Sequence, residues 1–448
     1  MGVPTPMVMT IARDGELIES TQQNFIPKER YVSQEFFDLE MERLWPRVWQ
    51  MACREEEVPR TGDFLEYIIG DQSILITRSE PDTVRAFYNT CPHRGTRLAA
   101  GVGNFATGEI RCRYHAWRFE LDGTNKEVVD RFDFPPTMTD ADACLNQIQV
   151  GRWGGFVFIN MDPHCESLES FLGPVPELLE PYRFEKMRFR SYRSVILPAN
   201  WKSVLDAFNE SYHVQGTHPQ LLRWSDDTAI RYGPLGKHNH MGGLGEVKRE
   251  IRPSPRLGLQ PGDYDERELL GVMIDELGGL FMKEERRQVE ELKNKPLPEG
   301  MTAMDAYNDL RLKMLRRKGG DVEELTDEQL LSSDDVHFFP NVVGPIYPGS
   351  TTLFRVRPNG LDPDSTIKDL WTLEWVSPGD QREMCEHKFY PDWTAKDWGL
   401  VTNQDYANMA HVQAGMKSRG CTGLQLNPRQ EQNVIHMHEV IDQYICSP

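Results

Sequence analysis

No stretch of this 448-residue sequence approaches the roughly 20 consecutive apolar residues that a helix needs to cross a bilayer. Its first twenty residues, MGVPTPMVMTIARDGELIES, hold neither a basic leader nor a sustained apolar run, so they do not read as an export signal. Basic residues are in deficit. Against 69 Asp and Glu there are 50 Lys and Arg, a formal net charge of -19, which excludes a broad phosphate-tracking surface and leaves nucleic acid and anionic membrane as poor partners. Cysteine is sparse too: eight, thinly spread, do not make a disulfide scaffold. These absences together predict a cytoplasmic chain whose thiols are mostly buried and free. Neither a Gly-rich dinucleotide fingerprint nor a flavin signature is found, so any NAD(P)H is expected to be oxidised on a separate protein.

What is present is an ordinary folding composition, 39% apolar and 10% aromatic, long enough for two or three domains. Phe37, Met41, Leu44 and Trp45 recur at helical spacing and predict a helix within 36–49. The segments FLEYIIG, QSILITR and TVRAFYN, then EIRCRYHAWRFE and GRWGGFVFINM, are short, β-branched or aromatic, and separated by turn residues. They predict one small antiparallel unit over 45–165, preceded by an N-terminal segment, 1–44, that packs on the catalytic domain, 166–448. In that larger domain SYRSVILPANWK reads as a strand entering a helix through VLDAFNESYHVQGTHPQLL. Residues 231–275 are rich in Gly and Pro with no steady period, and FMKEERRQVEELKN reads as an exposed helix. Strands at TTLFRVRP, DLWTLEWVSP and EMCEHKFY precede a helix around Gln404 to Met416. The fold class is α+β.

Two groups of potential metal donors stand out. Cys91-Pro-His93 is followed, after 18 residues, by Cys112-Arg-Tyr-His115, giving two similar thiolate and imidazole corners from two loops. These four ligands by themselves permit zinc. With Arg94-Gly95 after one pair and Tyr114, Ala116 and Trp117 around the other, the segment resembles the Rieske family. That resemblance implies a [2Fe-2S] cluster with one iron on Cys91 and Cys112 and the other on His93 and His115.

The second group is Asp206-Ala-Phe-Asn209-Glu210-Ser-Tyr-His213-Val-Gln-Gly-Thr-His218-Pro. On an ideal helix the two imidazoles lie about 140° apart, so they bind one ion only if the helix loosens between them. Gly216 supplies permissive backbone there, and Pro219 disfavours an α conformation at His218. A Rieske unit joined to this pattern resembles the catalytic large (alpha) subunit of Rieske non-haem iron ring-hydroxylating dioxygenases.

The resemblance implies a small antiparallel-β Rieske domain and a larger α+β domain with an antiparallel sheet and one mononuclear Fe(II) on His213, His218 and a late carboxylate. Asp405 is the best match for the latter, ahead of Asp397. Glu210 stands where the family places an acid that links a mononuclear-iron histidine to a Rieske histidine, here His213 to His115 of a neighbouring subunit in a homotrimer, with or without a small beta subunit. Asp206 is a departure from the family's amide, free to hold a proton or water or to favour a helix start.

The activity so implied is that of a terminal oxygenase fed by a ferredoxin or flavin reductase. It uses O2 to cis-dihydroxylate a small hydrophobic aromatic substrate. Monooxygenation or oxidative demethylation is the alternative chemistry, and electron transfer alone the second alternative. Leu205, Phe208 and Val214, near the ligand segment, are the candidate pocket residues.

Overall fold

Along Asp63–Ile69 the outward side chains are progressively freer while every second residue is buried, the period of a strand with one face inward. Six further strands extend it into a seven-stranded antiparallel sheet in the order Gln50–Arg54, Phe156–Asn160, Gln147–Trp153, Thr83–Tyr88, Gln72–Glu80, Asp63–Ile69, Val102–Asn104. A three-stranded sheet, Asn125–Glu127, Arg118–Glu120 and Glu109–Arg111, carries the second Cys/His pair at its edge. Phe87, Leu98, Ile110, Trp117 and Phe119 form the core of this unit, and Cys91 and Cys112 are part of it. In this computed structural model, which describes residues 8–447 apart from 12–16, 20–23, 244, 294, 320–321, 378 and 380–382, the unit spans Met41–Phe171.

The other unit joins Met1–Glu40 to Leu172–Pro448. Of the predicted N-terminal segment 1–44, residues 1–7, 12–16 and 20–23 lie outside the described residues. An eight-stranded sheet runs in the order Tyr232–Leu235, His238–Met241, Asp334–Phe338, Val342–Tyr347, Ser350–Asn359, Asp362–Trp375, Met187–Leu197, His387–Tyr390. Its pairings are antiparallel except the last, where Met187–Leu197 meets His387–Tyr390 in parallel. Helices Glu266–Glu276, Lys283–Lys293 and Ala303–Gly319 form a separate apolar cluster through Leu270, Met273, Val289 and Tyr307. Among the described residues no helix is long and apolar enough to cross a membrane.

The N-terminal segment is tied to the last helices by buried polar groups. The Arg30 guanidinium bonds His438 at 2.8 Å and Asp442 at 2.6 Å, and Phe25–Pro27 pairs as a strand with Gly423–Gln425. Glu40 and Lys202, both fully buried, meet at 2.6 Å, and Trp201 Nε1 donates to the same carboxylate at 3.0 Å.

Three expectations are corrected. The helix through 201–221 is broken: Trp201–Asp206 ends early, Val214–Thr217 makes one further turn, and Pro219–Arg223 is a 3-10 segment. Its cause is local, because the Glu210 carboxylate accepts the backbone N–H groups of Tyr212 and His213 and so competes with the helical ladder. Asp206 accordingly closes a helix rather than starting one. The Gly/Pro-rich stretch 231–275 contains a hairpin that joins the large sheet, and a helix. Lys283–Lys293 is not merely a solvated helix, since Glu285, Val289 and Leu292 are buried.

Candidate metal centres and active site

Cys91 and Cys112 face each other at the edge of the first core, both buried, while His93 and His115 are half-buried with ring centroids 4.4 Å apart. Gly95, at φ 71°, turns the first loop so that its N–H returns to the Cys91 carbonyl at 2.9 Å, and the Cys112 N–H bonds the Trp117 carbonyl at 2.9 Å. His93 stacks on Trp117 at 4.9 Å. Burial pushes the Cys91 thiol up to about 11, the adjacent Cys112 adds to this, and the backbone N–H groups of His93 and Arg94 oppose it. His93 Nδ1 is buried with no hydrogen-bond partner among the described residues. Two facing thiols, two neighbouring imidazoles and an orphaned ring nitrogen fit a Cys2His2 iron-sulfur cluster, whose thiolates and unprotonated imidazoles satisfy what the protein leaves unpaired.

The second centre combines the segment after the broken helix with the helix Leu400–Met416. His213 and His218, on either side of the short turn Val214–Thr217, and Asp405 on the long helix offer donor atoms within 4.8 Å of one another. His218 Nε2 is 2.7 Å and His213 Nε2 3.8 Å from Asp405 Oδ1. The opposite ring nitrogens are engaged, His213 Nδ1 donating to Glu210 at 2.6 Å and His218 Nδ1 to the Gln404 carbonyl at 2.8 Å. Each partner accepts N–H at Nδ1, which leaves both Nε2 atoms as metal donors. Burial disfavours protonation of His213, but the hydrogen bond and charge of Glu210 outweigh it and hold the imidazole above its ordinary value. Two imidazoles and one carboxylate on one side of a cavity fit the facial donor set of a non-haem iron.

Several sequence expectations resolve here. His218 adopts φ -125° and ψ 51°, outside the α region as Pro219 requires, whereas Gly216 needs no special backbone conformation. Asp405 joins the cluster. Asp397 does not: it is exposed and binds the Gly399 N–H and the Asn403 amide. Asp206 accepts the Tyr31 hydroxyl at 2.7 Å, its other oxygen is buried without a partner among the described residues, and burial raises its proton affinity to about 8.

A cavity of about 380 Å³ opens onto His213, His218 and Asp405. Phe208 and Val214 line it; Leu205 is fully buried and does not, so it belongs to the core. Gln404 was missed as a partner of His218, because nothing in the sequence ties two positions so far apart; its place beside Asp405 was the one available signal. Lys368 was also missed. Its ammonium lies 3.4 Å from the Phe208 ring centroid and 4.2 Å from that of Phe354, two cavity-lining rings, and among the described residues it has no hydrogen-bond partner.

Burial lowers the Lys368 proton affinity to about 7, the charge of Asp405 only partly opposing it. A folded value below the unfolded one means that the unfolded chain binds more protons between pH 7 and 10, so stability climbs as pH rises through that window. Lys368→Met removes a penalty on the order of 4 kcal/mol at neutral pH. Thermal unfolding between pH 7 and 10 is expected to show a raised Tm and a flatter pH profile; a lowered Tm at every pH overturns this account.

Comparison with known proteins agrees with both centres. A family model described as ring hydroxylating alpha subunit (catalytic domain) matches residues 184–447, and one described as Rieske [2Fe-2S] domain matches 48–131. The glycine betaine monooxygenase oxygenase subunit of Chromohalobacter salexigens is 26% identical over 401 residues, covering 88% of this chain and 79% of that protein. The carnitine monooxygenase oxygenase subunit of Escherichia coli K12 is 35% identical over 201 residues, 43% of this chain and 52%, about half, of its own length. Naphthalene 1,2-dioxygenase, solved with indole in its active site, has a TM-score of 0.65 at 17% identity, covering 94% of this chain and 92% of that one. That last likeness shows the fold alone.

Proposed function

This chain belongs to the ring-hydroxylating alpha-subunit family of Rieske-dependent terminal oxygenases, which use O2 and external electrons, and on that premise we propose that it inserts one oxygen atom into a C–H bond of a small organic ammonium compound. The observation that carries the reading is the cluster His213, His218 and Asp405 opening onto a largely apolar cavity. The monooxygenase name of a relative aligned over 88% of the chain supports one-atom insertion over the cis-dihydroxylation of an arene that the sequence led us to expect. For a substrate bearing N-methyl groups, hydroxylation at such a carbon leads on to oxidative demethylation.

When bound, the mononuclear iron supplies the oxygen-activating chemistry and the cluster supplies electrons one at a time. The protein's own contribution is positional. Glu210 and Gln404 lock the two imidazoles in the tautomer that presents Nε2, so little reorganisation is left for the reaction itself. Phe208, Val214, Leu221 and Phe354 exclude water from the space beside the donor set and hold substrate against it. In the other unit Cys91 and Cys112 are buried and His93 and His115 half-buried, so a cluster held there would be most accessible on its histidine side. We place His115 of a neighbouring subunit against Glu210 in a trimer of large subunits, with a ferredoxin or flavin reductase as donor.

The test uses labelled O2, a compatible reductase and a panel of N-methylated ammonium compounds and neutral arenes, with mass analysis of products. One labelled atom in the product, with formaldehyde released from the N-methyl compounds, is the expected result. A diol carrying two labelled atoms from an arene returns the reading to dioxygenation.

A further inference from the structure

The strand Asp334–Phe338 carries two acids side by side, and the alternation of a strand sends them to opposite faces. Asp334 is satisfied on its face, accepting the Tyr182 hydroxyl and the Gly245 N–H, the latter at 2.9 Å. Asp335 stands on the other. Its cross-strand neighbours are Met241 on one side and Pro345 on the other, and all three line the cavity. Among the described residues its carboxylate accepts no hydrogen bond and meets no cation. The two basic side chains of the cavity wall are engaged elsewhere, Arg311 with Glu285 at 3.2 Å and Lys248 over the Trp224 ring at 5.4 Å.

A carboxylate without a partner on the wall of a largely apolar cavity is partly stripped of water, and a cationic ligand there would supply the charge it lacks. Burial and the neighbouring Asp334 raise its proton affinity to about 7. Around it the wall is aromatic and apolar, with Trp224, Phe281, Tyr347 and Met273. Ring faces attract an organic cation and contact its alkyl groups, while a single carboxylate supplies the countercharge that rings alone lack. A neutral arene offers nothing to that acid and pays its desolvation without return.

We infer that Asp335 is the specificity-determining residue of the cavity, the countercharge that selects an organic ammonium substrate over a neutral molecule of the same shape. The inference deepens the proposed function and rests on the cavity being the substrate site. It assigns the selection to one side chain, on a strand distant in sequence from every metal donor.

The experiment compares choline with 3,3-dimethylbutan-1-ol, its neutral isostere, by calorimetric titration of the anaerobic holoenzyme. Wild type is expected to bind choline at least about tenfold more tightly than the alcohol, a difference of about 1.4 kcal/mol. Asp335→Asn is expected to lose that preference through weaker choline binding alone, leaving the alcohol unchanged, and Asp335→Glu to restore part of it. The Asn variant replaces a half-buried acid that has no partner among the described residues, so its Tm is not expected to fall, which separates selection from misfolding. Unchanged choline affinity in Asp335→Asn, or equal weakening of both ligands, overturns the inference while leaving the cavity as the substrate site. If wild type binds neither molecule, the cavity assignment and the inference fall together.

Discussion

Replacing His218 by alanine is expected to abolish product formation while the protein keeps the red-brown colour of its iron-sulfur centre. His218 is 2% exposed, its Nε2 is 2.7 Å from Asp405 and its Nδ1 is held by Gln404. Deleting the imbedded ring takes one of three donors from the mononuclear site, and two donors do not hold iron in the open facial geometry that O2 chemistry needs. Iron content is expected to drop from about three to about two atoms per chain, because a Rieske cluster accounts for two and the mononuclear site for one. The cluster, built on a different unit, is still reduced by its donor. Asp405→Ala is expected to behave alike. Full product formation in either variant, with reduction of the cluster intact, removes His213, His218 and Asp405 from the chemistry and overturns the assignment of this site.

The second large effect is kinetic. Glu210→Gln keeps a side chain of the same length and can still accept the His213 Nδ1–H through its amide oxygen, so both metals are expected to stay. The carboxylate's charge, which holds His213 above its ordinary proton affinity, is lost. Outer partners of metal-bound histidines are typically worth about 10–100-fold in metal affinity or activity. We expect a slowing of that order in a single-turnover experiment, read as the rate at which the reduced cluster loses its electron to the mononuclear site. Unchanged transfer with both metals present excludes Glu210 from the electron route, and metal loss instead assigns it to holding the site together.

The four Rieske donors were legible in the sequence because each pair is local: two residues and a short turn make one corner, and the repeated spacing announces two corners of one centre. The mononuclear site was legible only in halves. His213 and His218 lie five apart, but Asp405 reaches them through the packing of the helix Leu400–Met416, which composition cannot reveal; the family resemblance, not spacing, pointed to it. The broken helix escaped because Leu205, Phe208 and Tyr212 keep a helical period, while the carboxylate of Glu210 breaks the ladder by taking nearby N–H groups. The hairpin Tyr232–Leu235 and His238–Met241 was hidden by its own proline, glycines and histidines, which suit a sheet edge and its turn yet read as irregular chain. Asp334 and Asp335 were indistinguishable as letters. Only the register of three strands, fixed by tertiary pairing, tells which acid is satisfied and which faces the cavity.

The segment up to Glu40 and the residues from Leu172 onward form one unit, with the cluster-bearing unit inserted between them. Growth of the chain on the ribosome therefore completes the inserted unit first, while Arg30, Tyr31 and Glu40 wait for His438, Gln413 and Lys202 to be made. Iron-sulfur assembly can thus act on a finished pocket before the oxygen-handling half has closed, and a nascent chain stalled after residue 171 already holds all four cluster donors. Trimming the first forty residues, by contrast, strips a strand and a buried countercharge from the end of the molecule that is made last.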